Sequence, residues 1–225
     1  MTQKIVLLLM VLATALPLLA QEKTAKRLAE STAVLKTIVN EQGIPKSLLG
    51  KAECVLVYPS VKKVGVGIGV TYGRGIITCR EGSEMNGKWS PPAMYTLDTG
   101  SIGAQLGSTS TDYVLLVMTP RGANKVLSGK LKLGADASAA AGPSGAKANT
   151  FNDPNVDILT YSQTKGLFAG ASLGSASMAS DDDMNKELYG KQLDATQIVR
   201  DAAVSVPAAG KELVNFLNKI SPKHD

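Results

Sequence analysis

The chain contains a glycine-alternating run that reads Val64-Gly65-Val66-Gly67-Ile68-Gly69-Val70-Thr71-Tyr72-Gly73-Arg74-Gly75. The even positions from 64 to 72 are branched or aromatic, whereas positions 65, 67 and 69 are glycine. A period of two predicts a β-strand with one bulky face and one nearly bare face. Because glycine weakens a strand, the run requires another backbone packed against it, a sharp bend of the sheet, or a ligand close to the main chain.

The spacing of these glycines does not fit a dinucleotide-binding loop. After Gly67 and Gly69, the third glycine of that fingerprint would be residue 72, which is Tyr72. A second glycine-rich run lies at 165–174 and resembles the first. We therefore expect close backbone packing or sheet curvature to explain the glycines of the first run.

A phosphate-binding motif is almost present at Gly82–Trp89. The P-loop pattern needs Ser or Thr at its last position to bind magnesium, and Trp89 cannot replace either. Pro91 and Pro92 also follow where a helix would have to begin. We predict a hairpin loop here rather than a nucleotide site.

The N-terminal segment is predicted to be a secretory signal. Lys4 precedes an apolar stretch at 5–16, Pro17 is expected to break the helix, and cleavage is expected after Ala20. An uncleaved anchor is the alternative, although the stretch is shorter than the roughly 20 residues that span a bilayer. We therefore expect a periplasmic or secreted protein in which residues 21–225 form a single domain, since no internal linker is evident.

The charge of the chain favours some partners over others. The formal charge is +5, and it becomes +4 without residues 1–20. This permits attraction to anionic membranes but does not predict nucleic-acid binding, because aromatic residues for base stacking make up only 4% of the chain.

The two cysteines, Cys54 and Cys79, flank predicted strands. In an oxidising compartment such a pair is predicted to form a disulfide, which would contribute roughly 3 kcal/mol to stability. Two buried thiols that never meet are the alternative.

Residues 22–41 are predicted to form an amphipathic helix, with Leu28 and Leu35 on its apolar stripe. One interpretation is a helix packed on the core, which the small size of most apolar residues favours. The other is a helix that lies on a membrane. In that case the side chains near the head groups would be those of Lys23, Lys26, Arg27 and Lys36.

The middle of the chain has the pattern of several short strands. These are predicted at 54–58, 64–75, 93–97, 102–106, 113–118, 157–162 and 166–178. Pro59 is expected to end the first strand, and turns are expected at 98–101 and 163–165. Further helices are predicted at 45–51, 181–189, 194–200 and 207–219. The fold class is therefore α+β, with a Gly-rich antiparallel β-sheet or barrel-like core between an N-terminal amphipathic helix and C-terminal helices.

The chain offers little material for catalysis. Its only histidine, His224, is next to the last residue, so a histidine-activated nucleophile or a histidine zinc site is not expected. The acidic residues are scattered, and no spacing singles out a catalytic pair. We predict no enzymatic activity, no metal and no cofactor.

The acidic run Asp181-Asp182-Asp183-Met184-Asn185 resembles the start of a calcium loop. Lys186 replaces the required glycine and Gln192 replaces the closing glutamate, so an EF-hand is rejected. We predict a helix N-terminus capped by aspartate.

A modest basic cluster, formed by Lys62, Lys63 and Arg74, flanks the glycine run. Most such charges are only solvated. Beside exposed backbone N–H groups, however, they could bind an anionic head group. This combination is the best ligand site that the sequence indicates.

Many short blocks, in this order, resemble the SYLF family, also called the Ysc84-type domain. The blocks are Ala52–Pro59, Lys62–Gly65, Tyr72–Gly75, Trp89–Ala93, Thr111–Leu116, Leu133–Ser138, Ala141–Pro143, Lys165–Gly170, and Asn185 with Tyr189-Gly190. The likeness covers about residues 24–200.

This resemblance implies a non-catalytic lipid-binding module. Eukaryotic members are associated with phosphoinositides and membranes, and yeast relatives also with actin. In eukaryotic members an N-terminal amphipathic helix is implicated in lipid binding, and residues 22–41 occupy that place here. The predicted signal makes actin an unexpected partner, so what carries over is binding to anionic phospholipids or a membrane surface.

The leading hypothesis is thus a protein that binds anionic phospholipid surfaces. Charge and position alone nominate the lipid-binding residues, which are Lys23, Lys26, Arg27, Lys36, Lys62, Lys63 and Arg74. The alternative is a structural or interaction protein of the cell envelope that binds a protein partner. A hydrolase is a distant third hypothesis.

Overall fold

The structure is a computed structural model. It describes the backbone of residues 2–41, 44–143, 151–165, 173 and 176–221. Within these ranges, side chains are described except at 2–20, 64–69, 99–108 and 165.

Two very long strands dominate the fold. Strand β1 (Cys54–Cys79) pairs antiparallel with strand β2 (Ala93–Val117), from Cys54 opposite Val117 to Ile77 opposite Ala93. The segment between them closes as a hairpin, with a bridge between Arg80 and Trp89. The hairpin loop predicted at 82–89 is therefore confirmed.

The turn predicted at 98–101 is wrong, because these residues lie inside β2. Asp98 pairs with Tyr72, and Ser101 pairs with Gly69. The Asp-Thr-Gly-Ser sequence favours a turn locally. The continuous hydrogen bonding offered by β1 overrides that weak local preference.

The prediction that Pro59 ends β1 is wrong. The strand continues through this residue and accommodates it in a bulge. The register shifts between Tyr58 and Val61, and Ser60 has a φ of 52°. The backbone N–H of Ser60 donates to Oδ1 of the buried Asp112 at 2.7 Å. The bulge thus absorbs a residue that cannot donate to the ladder, and a carboxylate satisfies the displaced amide.

The β1–β2 ribbon curls so strongly that the two halves of β1 touch. A Cβ at Gly73 would stand 2.6 Å from Cγ2 of Val61, and one at Gly75 would stand 2.9 Å from Cα of Tyr58. In a straight strand, positions 58 and 75 would be about 55 Å apart. A second register shift, between Val66 and Ile68, lies within the bend. Close backbone packing and curvature are therefore confirmed for the glycines at 73 and 75.

Four shorter strands complete the sheet in the described part of the chain. They are β3 (Leu131–Lys132), β4 (Ala139–Ala141), β5 (Ile158–Lys165) and β6 (Ser177–Ser180). The order is β3-β6-β2-β5-β4, with β1 paired to β2, and all pairings are antiparallel except β4–β5.

The turn predicted at 163–165 is also wrong. Thr164 and Lys165 belong to β5 and pair with Thr111 and Ser110 of β2. Most of the second glycine-rich run, 166–172 together with Gly174, lies outside the described residues.

The helices lie around this sheet. They are α1 (Thr2–Glu41), α2 (Lys46–Gly50), α3 (Pro120–Leu127), α4 (Asp182–Tyr189), α5 (Ala195–Val199), a 3-10 turn (Ala208–Gly210) and α6 (Lys211–Ile220).

The helix predicted at 22–41 is confirmed as part of α1, which passes through Pro17 without the expected break. The predicted aspartate cap is confirmed, since Oδ1 of Asp181 accepts from the backbone N–H of Met184 at 3.3 Å. The α+β class is likewise confirmed.

The first part of β1 is buried on both faces. Alternate residues of β1 enter different cores: Leu56 and Tyr58 face the inside of the curl, whereas Val55 and Val57 join the layer that contains Leu28 of α1. Because the start of β1 is covered on both sides, its first five residues, 54–58, are all apolar. Cys54 and Cys79 lie in the inner core and form the predicted disulfide.

The apolar side of α1 is committed to the outer core. Leu28, Leu35 and Ile38 are at most 1% exposed. Over its described side chains, α1 therefore follows the first interpretation of its sequence, a helix packed on the sheet. Among the residues that the structure describes, no helix is long and apolar enough to cross a membrane.

Candidate functional site

Four of the seven basic residues nominated from the sequence line one cleft. It has a volume of about 220 Å³ and lies between α1, β1, the start of β2 and the start of α4. Its lining residues are Lys23, Lys26, Arg27, Glu30, Arg74, Gly75, Met94, Asp181 and Met184.

Helix α1 supplies one wall of the cleft through its periodicity. Lys23, Lys26, Arg27 and Glu30 follow the i, i+3, i+4, i+7 spacing that places side chains on one helix face. The buried Leu28 fixes the rotation of the helix, because it points into the outer core. Nη1 of Arg27 forms an ion pair with Oε2 of Glu30 at 3.1 Å.

The opposite wall holds Arg74, which the alternation of β1 turns away from the curl. Gly73 and Gly75 are buried on the inner side, whereas the Arg74 side chain is 47% exposed. Its Nε lies 3.2 Å from Oδ2 of Asp181. Asp181 thus has two roles, since its other carboxylate oxygen caps α4.

The electrostatics of the cleft favour an anion. Four cationic side chains face two carboxylates, which leaves an excess of positive charge. Arg27 and Arg74 are each paired with one carboxylate. Lys23 and Lys26 are exposed, and neither makes an ion pair with any described residue. Exposed ammonium groups beside two oriented guanidinium groups are suited to contact phosphate oxygens.

The other nominated residues do not line the cleft. Lys36 is paired with Oε1 of Glu212 at 2.6 Å and lies 5.5 Å from the ring centroid of Phe216. Lys62 and Lys63 lie on β1 opposite Ser110 and Thr109, Lys62 being exposed and Lys63 half-buried. The structure therefore groups Arg74 with the lysines of α1 around the cleft, which Lys62 and Lys63 do not line.

A second polar cluster, which we call the Arg80 cluster, was not predicted. Arg80 is fully buried, and its guanidinium carbon lies 4.4 Å from the ring centroid of Trp89. Nη2 of Arg80 donates to Oγ of Ser221 at 2.7 Å, and Nε1 of Trp89 donates to the Ser221 carbonyl at 2.9 Å. The cluster fastens the end of α6 to the 80–89 loop.

Glu53 belongs to the same cluster. The backbone N–H of Arg80 donates to the Glu53 carbonyl at 2.8 Å. Burial raises the pKa of the Glu53 carboxyl to about 7, against the opposing effect of the Arg80 guanidinium. Burial also lowers the pKa of Arg80 to about 10, against the effect of Glu53. The sequence contained a signal for the proximity of Glu53 and Arg80, because a Cys54–Cys79 bridge brings the flanking residues 53 and 80 together.

The described part of the chain contains no assembled metal site. No group of three or more His, Cys, Asp or Glu side chains there is arranged to hold a metal ion. His224 lies outside the described residues.

Comparison with known proteins finds relatives along most of the chain. The family model Ysc84, described as "Las17-binding protein actin regulator", matches residues 98–220. An SH3 domain-containing protein of Schizosaccharomyces pombe is 32% identical over 202 residues, which are 88% of this chain and 46% of that protein.

Two further relatives show the same pattern. SH3 domain-containing YSC84-like protein 1 of Homo sapiens is 27% identical over 207 residues, 91% of this chain and 59% of the relative. Protein YSC84 of Saccharomyces cerevisiae is 26% identical over 201 residues, 87% of this chain and 42% of the relative. The chain spans about half the length of the curated relatives it matches. No solved structure matches the chain significantly.

Proposed function

Since this chain belongs to the Ysc84 family, also called SYLF, we propose that it binds anionic phospholipid surfaces without catalysing a reaction. The observation that carries the proposal is the cleft, in which Lys23, Lys26, Arg27 and Arg74 converge from two elements distant in sequence. Phosphate groups of the lipid would contact the two unpaired lysines first.

The packing of α1 determines which of its sides would meet a membrane. Among its described side chains, Leu28, Leu35 and Ile38 are buried in the outer core, so they are not available for insertion while the domain is folded. Contact through its basic side needs no such rearrangement. Each Lys or Arg near an anionic surface contributes about 1 kcal/mol, and this contribution falls within a Debye length.

The predicted signal at 1–20 is part of the same proposal. Cleavage after Ala20 would deliver a periplasmic or secreted domain whose α1 begins close to Lys23. Mass spectrometry of the protein purified from its own host would test this directly. A chain that retains residues 1–20 would contradict it.

Co-sedimentation with vesicles tests the lipid-binding proposal. We expect binding to phosphatidylglycerol vesicles at low salt and loss of binding as salt rises. Lys23→Glu/Lys26→Glu should weaken binding strongly. The matched control Lys186→Glu/Lys191→Glu makes the same charge change at exposed positions outside the cleft, and should weaken it far less. Equal losses in the two variants, or no binding at all, would contradict the proposal.

Charge reversal at Lys62 and Lys63 measures the contribution of the other basic pair. If the cleft is the main contact, Lys62→Glu/Lys63→Glu should have a smaller effect than the change at Lys23 and Lys26. This comparison separates a defined cleft from a diffuse positive surface.

A protein partner in the cell envelope is the second candidate function. The description of the matching family model names binding to a protein, Las17, and this supports the idea that the fold can bind protein. Pull-down of one defined protein, insensitive to salt and obtained without lipid, would favour this candidate over the first.

A further inference from the structure

Two large apolar side chains stand out from the described surface. Val70 is 56% exposed and Tyr72 is 47% exposed, whereas Thr71 between them is 7% exposed. The alternation of β1 therefore places both on its outward face, in one row with Arg74. Single exposed apolar residues are ordinary, but a neighbouring valine and tyrosine in a strand form a small continuous patch.

This patch, Val70 with Tyr72, adjoins the basic cleft. The guanidinium carbon of Arg74 lies 5.9 Å from the ring centroid of Tyr72. Arg74 also lines the cleft, where it lies opposite Lys23 and Lys26. One arginine thus connects an exposed apolar patch to a positively charged cleft.

The arrangement fits the boundary region of a bilayer. Tyrosine has an apolar ring and a polar hydroxyl, and such rings are enriched at the level of the lipid head groups. Binding at this level increases with inserted apolar area and with attraction of basic residues to anionic lipids. Here the apolar patch and the basic residues of the cleft are adjacent.

A protein surface is the less suitable occupant. Specific protein interfaces usually bury at least about 1,200 Å². Val70 and Tyr72 are the only large hydrophobic residues exposed among the side chains that the structure describes. A bilayer, in contrast, needs only a small wedge if the surrounding charge is favourable.

We infer that Val70 and Tyr72 insert into the head-group layer of an anionic bilayer while the adjoining cleft binds lipid phosphates. The inference rests on the proposed lipid binding and adds an insertion element on strand β1. It differs from insertion of the N-terminal helix, whose described apolar side chains Leu28, Leu35 and Ile38 are buried.

Tryptophan fluorescence tests the insertion. The chain has a single tryptophan, Trp89, which is 1% exposed and contributes a constant buried background. Tyr72→Trp adds a reporter in the patch. Gln192→Trp adds one at an exposed, uncharged position beyond the far end of α4. Both variants would be mixed with vesicles of equal parts phosphatidylglycerol and phosphatidylcholine, with and without bromine on the acyl chains.

We expect the emission of Tyr72→Trp to shift to the blue and to be quenched by bromolipid at least about twofold more than that of Gln192→Trp, since only the first enters the interface. Co-sedimentation of the same samples reports binding separately. If the protein sediments with vesicles but both reporters behave as in buffer, the insertion is refuted and the lipid binding stands. If it does not sediment, both are refuted.

A second variant gives an independent readout. Val70→Ser/Tyr72→Ser should reduce vesicle affinity without changing its salt dependence, because apolar contacts are not screened by salt. Lys23→Glu/Lys26→Glu, in contrast, should reduce both the affinity and its salt dependence. Unchanged affinity of the serine variant, with unchanged thermal unfolding, would overturn the inference.

Discussion

Gly75 packs directly against the carbonyl oxygen of Val57, a residue of the same strand. A Cβ at position 75 would overlap that oxygen and would also stand 2.6 Å from Cδ1 of Tyr58. The contact exists because β1 curls back on itself at the glycine run. It identifies a position at which the fold has no room for any side chain.

The first prediction is that Gly75→Ala strongly destabilises the protein. The nearest atom is backbone and cannot turn aside, so we expect a loss of about 3 kcal/mol or more. Gly50→Ala is the matched control, since nothing lies within 4 Å of a Cβ there and the residue ends helix α2. The control should be neutral or slightly stabilising. Urea unfolding measures both, and equal stabilities would show that the curl is less tight than described.

The second prediction concerns the disulfide. The Cys54–Cys79 bridge closes a loop with a sequence separation of 25, so its removal should cost about 3 kcal/mol. Denaturant unfolding of the wild type should shift to lower concentration when reductant is added. Cys54→Ala/Cys79→Ala should unfold at the lower concentration with or without reductant. A wild type that does not respond to complete reduction would contradict the prediction.

The third prediction is a pH dependence of stability caused by Glu53. Its pKa is raised to about 7 in the folded state, above the ordinary value of 4.5, chiefly by burial. Between these values the folded protein holds a proton that the unfolded chain has released, so stability falls as pH rises from about 5 to 7. In Glu53→Gln this contribution to the pH dependence should be absent.

Thermal unfolding at several pH values measures this effect. Glu187→Gln, a change of the same chemistry at an exposed position, should keep the pH dependence of the wild type. A Glu53→Gln profile that follows the wild type through this range would rule out Glu53 as the cause.

The fourth prediction is that Asp181→Asn strengthens vesicle binding. Asp181 partly neutralises Arg74 in the cleft, and asparagine removes that charge while remaining a good N-cap for α4. One added net charge near an anionic surface is worth about 1 kcal/mol, or roughly fivefold in affinity. Asp183→Asn makes the same charge change at an exposed residue outside the cleft. If Asp181→Asn and Asp183→Asn raise the affinity equally, net charge alone explains the gain and the prediction of a specific role for Asp181 is wrong.

The elements that were predicted correctly have local signals. The periodicity of Leu28 and Leu35 indicates a helix with a buried face, and Asp181 has the side chain that a helix N-terminus requires. Trp89 excludes a P-loop by its chemistry alone. Each of these signals is complete within a few neighbouring residues, so no knowledge of the rest of the fold was needed.

The wrong predictions about the strands have a non-local origin. Pro59 and the 98–101 segment have local features that favour an interruption. Asp112 satisfies the amide next to Pro59, and the partner strand β1 keeps 98–101 extended. Both compensating groups are distant in the sequence, and a local pattern cannot report them.

By itself, the sequence determined the α+β class, the principal helices, the disulfide and the list of basic residues from which a site could be drawn. Only the tertiary structure decided which of those residues meet. It brought Arg74 to Lys23 and Lys26, separated Lys36, and placed Val70 and Tyr72 beside the cleft. The reason is that these contacts depend on two long-range effects: the curl of β1 at the glycine run, with its register against β2, and the packing of α1 on the outer core.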